Sequence, residues 1–262
     1  MRIRSSAIPE MNSMIDGWDM TLTIAPHVHV CVTAEGSVLL DLKRDKYLGL
    51  GREDTELLAA AISAWPRPRW DYPESRSSSA AAVSKADALC RTLAADELLL
   101  KGKGDCGYRV APSVDYMKRD WISIGDEIEV DADVTPKHIA NFMTAFTLAR
   151  CSLAWRQFWF TVETARLNKT ERNTNAHVAL EEVAALVGVF RRLRPFAFAA
   201  EGRCLLHALT LIKFLSRYGF YPDWVIGVAM RPWAAHSWVQ WGDCLLDTNP
   251  EKVCRFTPIL VV

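Results

Sequence analysis

Cys204, His236 and Asp247 have the residue types and the order along the chain that suit thiol chemistry on a carbonyl group. The first is predicted to begin an amphipathic helix, the second lies in a strand pattern, and the third ends the next strand. A cysteine is a nucleophile only as the thiolate, which a helix N-terminus and a nearby imidazolium both stabilise. We therefore predict that Cys204 is the nucleophile, that His236 is its base and later its acid, and that Asp247 orients His236.

Gly242-Asp243 predicts a two-residue hairpin turn between the strand of His236 and the strand that ends at Asp247. In that register His236 and Asp247 are diagonal neighbours on one face of the sheet, with Cβ atoms roughly 7–8 Å apart. An imidazole and a carboxylate together span such a gap. The hairpin therefore supplies a geometry for the second and third members of the site.

Simpler interpretations compete with this one. A cysteine at a helix start and a histidine on a strand are, taken singly, more often core residues than catalytic ones. His207 is a second candidate base, although a base on the same helix has little freedom to approach the sulfur. Cys204-x-x-His207 with Cys244 does not have the paired spacings of a structural zinc site, so we predict no metal.

The elements that must position these residues follow from the hydrophobic periodicity. In the first part of the chain, strands are predicted at 28–32, 38–42 and 46–50, and a helix begins at Asp54. The segment 65–84 is rich in proline and serine, and a second helix is predicted at 85–100.

The second part of the chain is predicted to be mainly helical at first. Helices are predicted at 139–168 and 176–193, followed by a helix from Cys204 to Tyr218 that Gly219 ends. Strands then follow at 224–228, 235–241 and 244–247. The loop at 102–107 and the acidic stretch at 126–133 divide the chain into a domain at 1–102, a linker at 103–135 and a domain at 136–262.

Composition excludes several classes of protein. Hydrophobic residues form 50% of the 262 and charged residues 24%, which predicts a packed core, and a net charge of zero gives no support for nucleic-acid binding. Seven cysteines without a CxxC motif argue against a disulfide framework. The absence of an uncharged apolar run long enough for a membrane span or a signal peptide predicts a cytoplasmic protein.

The C-terminal segments together resemble a known family, the lasso-peptide B proteins. These are transglutaminase-like cysteine peptidases that remove the leader from a ribosomally made lasso-peptide precursor (a RiPP). The resemblance is carried by Cys204-Leu205-Leu206-His207-Ala208-Leu209, Pro232-Trp233-Ala234-Ala235-His236-Ser237-Trp238-Val239 and Leu245-Leu246-Asp247. One departure is Trp233, where phenylalanine is expected, and this exchange is conservative.

The first hundred residues resemble the leader-recognition domain of such systems, which is PqqD-like and related to the winged helix. The resemblance implies an α+β protein, with a three-stranded sheet plus helices in the N-terminal domain and helices packed on a small antiparallel sheet in a papain/transglutaminase-like C-terminal domain. It also implies that the leader adds as a strand beside 46–50 and packs against the helix near 85–93. The predicted substrate-binding residues are Lys46, Tyr47, Leu48, Leu50, Leu89, Trp233 and Trp238.

Three of the tryptophans, Trp233, Trp238 and Trp241, allow two interpretations, since aromatic residues around a sheet either line a substrate groove or simply pack in the core. The family resemblance further implies a precursor peptide and an asparagine-synthetase-like lasso cyclase as partners. It implies that ATP matters to maturation, but this chain has no Walker A pattern and we assign it no cofactor. Two other functions stay open, namely a non-catalytic leader-binding adaptor and transglutaminase-like acyl transfer to an amine.

Overall fold

The computed structural model describes residues 22–68, 70, 79–102, 122–123, 133–155, 157–172, 180–198 and 203–262. It is a mixed structure of helices and mainly antiparallel sheets, in agreement with the predicted α+β class. None of the described helices is both long and apolar enough to cross a membrane.

The N-terminal sheet consists of β2 (Val28–Thr33), β3 (Gly36–Asp41) and β4 (Lys46–Gly51), in the order β2-β3-β4. All three strands are antiparallel, with Val28 opposite Asp41 and Gly36 opposite Gly51. The three predicted strands are confirmed. Apolar segments separated by polar turns are enough to specify such a meander from local signals. A separate two-stranded ribbon pairs β1 (Leu22–Ile24) with β5 (Leu99–Lys101).

Two helices cover one face of this sheet, α1 (Arg52–Ala61) and α2 (Ala80–Ala95). The helix predicted at 85–100 is therefore wrong at both ends. Ser79 caps α2 by accepting a hydrogen bond from the backbone N–H of Ala82. At the other end Glu97 has a positive φ of 59°, which turns the chain out of the helix and into β5.

The C-terminal half begins with three helices, α3 (Pro136–Trp155), α4 (Phe158–Arg172) and α5 (Leu180–Leu193). The single helix predicted at 139–168 is wrong, since the chain forms two helices there. The start of α4 is fixed by the N-terminal half, because the backbone N–H of Trp159 donates to the carbonyl of Leu42 at 3.1 Å. Apolar periodicity did not reveal this break, since both helices are apolar on their inner faces.

The helix α6 (Cys204–Ser216) leads into a five-stranded sheet of order β10-β7-β8-β9-β6. Its strands are β6 (Ile122–Ser123), β7 (Asp223–Met230), β8 (Trp233–Trp241), β9 (Cys244–Leu245) and β10 (Thr257–Val261), with a short helix α7 (Pro250–Val253) before the last. Gly219 has a φ of 89° and ends α6 as predicted. The strand β6 comes from the segment that we predicted to be a linker.

The largest hydrophobic core joins both halves of the chain. Cys31, Val38 and Leu40 of the N-terminal sheet pack together with buried side chains of α3, α5, α6 and β7. Leu39, on the opposite face of the same sheet, packs instead in a smaller core with α1 and α2. The N-terminal sheet therefore lies between the two helices of its own half and the sheet of the other half.

Candidate active site

Cys204 is the first residue of α6, as predicted, and its side chain is partly buried. The residue before it, Arg203, provides no side-chain cap, and its carbonyl accepts the first helical bond from the N–H of His207 at 2.9 Å. The N–H groups of the first turn therefore keep their partial positive charge, which favours an anion at this end of the helix. Gly202, predicted to ease the turn into the helix, lies outside the described residues.

His236 lies in the middle of β8, opposite Gly227 of β7. Its ring stacks on Phe256, with ring centroids 5.3 Å apart, and on Trp238 at 6.2 Å. Burial lowers the pKa of His236, and the charges of Arg255, Lys252 and His207 lower it further. The neutral form, which accepts a proton, is therefore favoured at neutral pH.

The sheet face that carries His236 is distinct from the face on which α6 packs. Trp238 and Phe256 belong to a small core of their own. Val239, on the other face of β8, packs with Leu206 and Leu209 of α6. Within the described part of the chain, no hydrogen bond joins Cys204 to His236, although the charge of His207, one turn along α6, acts on His236.

Asp247 lies in a buried cluster of cationic side chains, and its own side chain is 5% exposed. His207 Nε2 is 2.8 Å from Asp247 Oδ2, although the angle is not that of a hydrogen bond. Arg191 Nε donates to Asp247 Oδ1 at 3.1 Å, and Arg194 lies 3.5 Å from the other oxygen. Among the described residues no contact of this kind joins Asp247 to His236.

The predicted diagonal pair of His236 and Asp247 is therefore not formed in this structure. The hairpin register itself is as predicted, since Trp241 faces Cys244 and the N–H of Leu246 donates to Val239 at 3.0 Å. However, β9 ends at Leu245 and residues 246–248 bend towards α7. This bend carries the carboxylate of Asp247 to α5 and α6. Because residue 247 lies beyond the end of β9, the alternation of side chains along a strand no longer determines on which face of the sheet it lies.

His207 is consequently the imidazole that the structure brings to Asp247. Its ring packs edge-on against Phe190 at 5.3 Å and Phe198 at 5.1 Å. The sequence identified His207 as the second candidate base, but it gave no sign of Arg191. Arg191 and Asp247 are 56 positions apart in sequence and lie in parts of the chain that meet only after folding.

The predicted leader-binding residues lie mostly on or beside β4, the edge strand of the N-terminal sheet. Lys46 is exposed, Tyr47 is partly buried and Leu48 is 39% exposed. Leu50 is buried in the N-terminal core, so its side chain is not open to a ligand, while Leu89 of α2 is partly buried against the same core.

The three tryptophans of the C-terminal sheet differ in their exposure. Trp233 is 51% exposed, whereas Trp238 is 2% exposed and its indole N–H donates to Gln240 at 2.9 Å. Trp241 is partly buried and packs against Phe220. Trp238, predicted to bind substrate, is therefore a core residue in this structure, and only Trp233 presents a large open surface.

Cys204, His207 and Cys244 are the zinc-ligand types that the sequence offers near the predicted site. Over the described ranges, no group of three or more His, Cys, Asp or Glu side chains has the arrangement of a metal site.

Residues 143–261 match the Transglutaminase-like superfamily. The matched segment contains Cys204, His236 and Asp247, and the chain therefore carries a transglutaminase-like domain in its C-terminal half. This superfamily includes cysteine peptidases and acyl transferases. Neither a curated protein nor a solved structure gives a match.

Proposed function

We propose that this protein removes the leader from a lasso-peptide precursor by thiol-dependent hydrolysis of a peptide bond. The observation that carries this proposal is the position of Cys204 as the first residue of α6, inside the transglutaminase-like domain. His236 follows on β8 and Asp247 directly after β9, in the order that the family resemblance implies.

In the proposed mechanism the Cys204 thiolate attacks the scissile carbonyl after His236 has accepted the thiol proton. His236 then returns the proton to the leaving amine, the C–N bond breaks, and the acyl group stays on sulfur as a thioester. Water, deprotonated by His236, hydrolyses the thioester and regenerates the thiol. The backbone N–H of Cys204 donates to the oxyanion.

Two rearrangements are required in this mechanism. The His236 side chain must leave its stack on Phe256 to reach Cys204. Asp247 must leave Arg191, or residues 246–248 must extend β9, so that its carboxylate orients His236. The contact between Asp247 and His207 supports a second assignment of the base. In that alternative, His207 accepts the thiol proton, and Asp247 holds the His207 ring in its present position without any movement of the chain.

Leader recognition is proposed for residues 1–102, with the leader as a fourth strand on β4. The position of β4 at the sheet edge supports this, because an edge strand offers unpaired backbone N–H and C=O groups. Ion pairs join α2 to the helix that follows β4, since Lys85 lies 3.0 Å from Glu53 and 2.9 Å from Asp54 in the first turn of α1. In the proposal, both helices lie beside the added strand.

The domain at 136–262 then supplies the peptidase, joined through 103–135, and an asparagine-synthetase-like cyclase receives the core peptide in the cytoplasm. A leader-binding adaptor is a second candidate function. It is favoured by one observation, the stacking of His236 on Phe256 and away from Asp247. Transfer of the acyl group to an amine would use the same thioester. Whether water or an amine reaches that thioester decides between hydrolysis and transfer.

Replacement of the nucleophile tests the proposal. Cys204→Ala is expected to abolish cleavage of a lasso-peptide precursor that the wild type cleaves, as followed by mass spectrometry, while its affinity for the leader stays within about twofold. Cys254→Ala is the matched control, since Cys254 is an exposed free thiol elsewhere in the same half. Cleavage by Cys204→Ala at the wild-type rate would disprove the proposal, and a wild-type protein that binds the leader without cleaving it would identify an adaptor.

A further inference from the structure

The tip of the β7–β8 hairpin rests on the proposed leader-binding strand. The ring of Trp233, the first residue of β8, lies 5.5 Å from the ring of Tyr47 at an interplanar angle of 66°. On the preceding strand, Met230 contacts β4 at Gly49, where a Cβ would lie 3.6 Å from its terminal methyl group. The same Met230 sulfur accepts a hydrogen bond from Thr33 at 3.1 Å.

The two faces of β4 have different neighbours. Leu48 lies opposite Leu39, whose side chain packs with α1 and α2. Tyr47 lies opposite Leu40 and packs on the core shared with the C-terminal half. A peptide added to the free edge of β4 therefore lies beside the helices on one face and beside the hairpin tip on the other.

The hairpin tip is directly connected to the chemistry. From Trp233, β8 continues to His236 three residues further on. Tyr47 packs on the same core as Leu205 and Leu206, the two residues that follow Cys204 in α6. One core therefore joins the proposed leader-binding strand to the start of α6.

We infer that the contact between Tyr47 and Trp233 couples docking of the leader on β4 to the placement of the scissile bond at Cys204. This inference rests on the proposed function and makes Tyr47 and Trp233 positioning residues. Trp233 is half exposed, so one side of its ring packs on Tyr47 and the other stays open to the peptide that leaves the edge of β4. A peptide substrate without a leader does not occupy β4, so its cleavage does not depend on the contact between Tyr47 and Trp233.

The test compares two substrates, the whole precursor and a short peptide that spans its cleavage site without the leader. Trp233→Ala and Tyr47→Ala are each expected to lower kcat for saturating precursor by about tenfold, while cleavage of the short peptide stays within about twofold of the wild-type rate. The double variant is expected to lose no more than the worse single variant, because both changes remove one contact. Trp233→Phe, which keeps an aromatic ring on Tyr47, is expected to restore the rate.

Trp155→Ala is the matched control, since Trp155 is 84% exposed at the end of α3. Equal loss on both substrates would overturn the inference, because Trp233 would then act at the scissile bond itself. An unchanged rate on the precursor would overturn it as well.

A second measurement does not depend on cleavage. The isolated leader is expected to change the rate of Cys204 alkylation by iodoacetamide at least about threefold in the wild type and in Trp155→Ala, and not in Trp233→Ala. The absence of any change in the wild type would overturn the coupling. Failure of the peptidase proposal has a different signature, namely precursor cleavage that persists in Cys204→Ala.

Discussion

At the scale of residues, the buried carboxylate of Asp247 is the group whose partners matter most. Its side chain is 5% exposed and contacts Arg191 and His207, whereas His236 stacks on Phe256 on the other side of the sheet. An aspartate of a catalytic triad fixes the orientation of the imidazole that it contacts. The partner of Asp247, His236 or His207, therefore decides which histidine serves Cys204.

Histidine replacements distinguish the two bases. His236→Ala is expected to lower kcat for leader removal by about a hundredfold or more, the range for loss of a general base. His207→Ala is expected to cost about tenfold, because it removes only one of the groups that hold Asp247. Steady-state cleavage of the precursor measures both, with His138→Ala at the start of α3 as the control. A larger loss in His207→Ala than in His236→Ala would assign the base to His207.

At the scale of elements, the edge strand β4 differs from the other strands of its sheet by its exposure. Both β2 and β3 are almost wholly buried, while four of the six residues of β4 are exposed. An edge strand whose exposed leucine, Leu48, lies between Tyr47 and Gly49 is poorly protected there against pairing with another strand. This exposure suits a strand that receives a peptide.

Leu48 tests the docking of the leader on β4. Leu48→Ala is expected to weaken leader binding by about tenfold, since the loss of a leucine contact costs about 1.5 kcal/mol. Leu100→Ala is a matched control, because Leu100 is a leucine of similar exposure, 41%, on a different strand. Fluorescence anisotropy of labelled leader peptide gives both dissociation constants. Equal affinities in the two variants would place the leader elsewhere.

At the scale of the whole molecule, the two halves are joined by a buried surface rather than by the connecting segment alone. Cys31 and Leu40 of the N-terminal sheet belong to the core of the C-terminal half, and β10 lies next to β2. A histidine is buried in the same region, since His29 is 6% exposed, and its Nε2 has no hydrogen-bond partner among the described residues. Burial lowers the pKa of His29 to about 4, and the charge of Arg166 on α4 contributes.

This histidine makes the stability of the whole molecule depend on pH. Between pH 6.5 and about 4 the unfolded chain binds a proton at His29 that the folded chain does not, so stability falls as the pH falls. From pH 7.5 to 5.0 the wild type is expected to lose roughly 2 kcal/mol more unfolding free energy than His29→Leu. Urea unfolding at the two pH values measures the difference. Equal losses in both proteins would show that His29 titrates normally in the folded state.

The sequence alone determined the local elements. Apolar segments separated by polar turns gave β2, β3 and β4, Gly242-Asp243 gave the hairpin register, and Gly219 gave the end of α6. These features depend on neighbours within a few positions, so periodicity and turn chemistry are sufficient to predict them. The order of cysteine, histidine and aspartate likewise predicted the transglutaminase-like domain.

Only the tertiary structure decided which side chains meet. Asp247 turned to Arg191 and His207 because the chain bends after β9, and Trp238 became a core residue because Gly227 leaves room for its ring. The contact between Tyr47 and Trp233 joins two strands that are almost two hundred positions apart in sequence. Such contacts depend on how sheets and helices pack at long range, and no local pattern of residues specifies that packing.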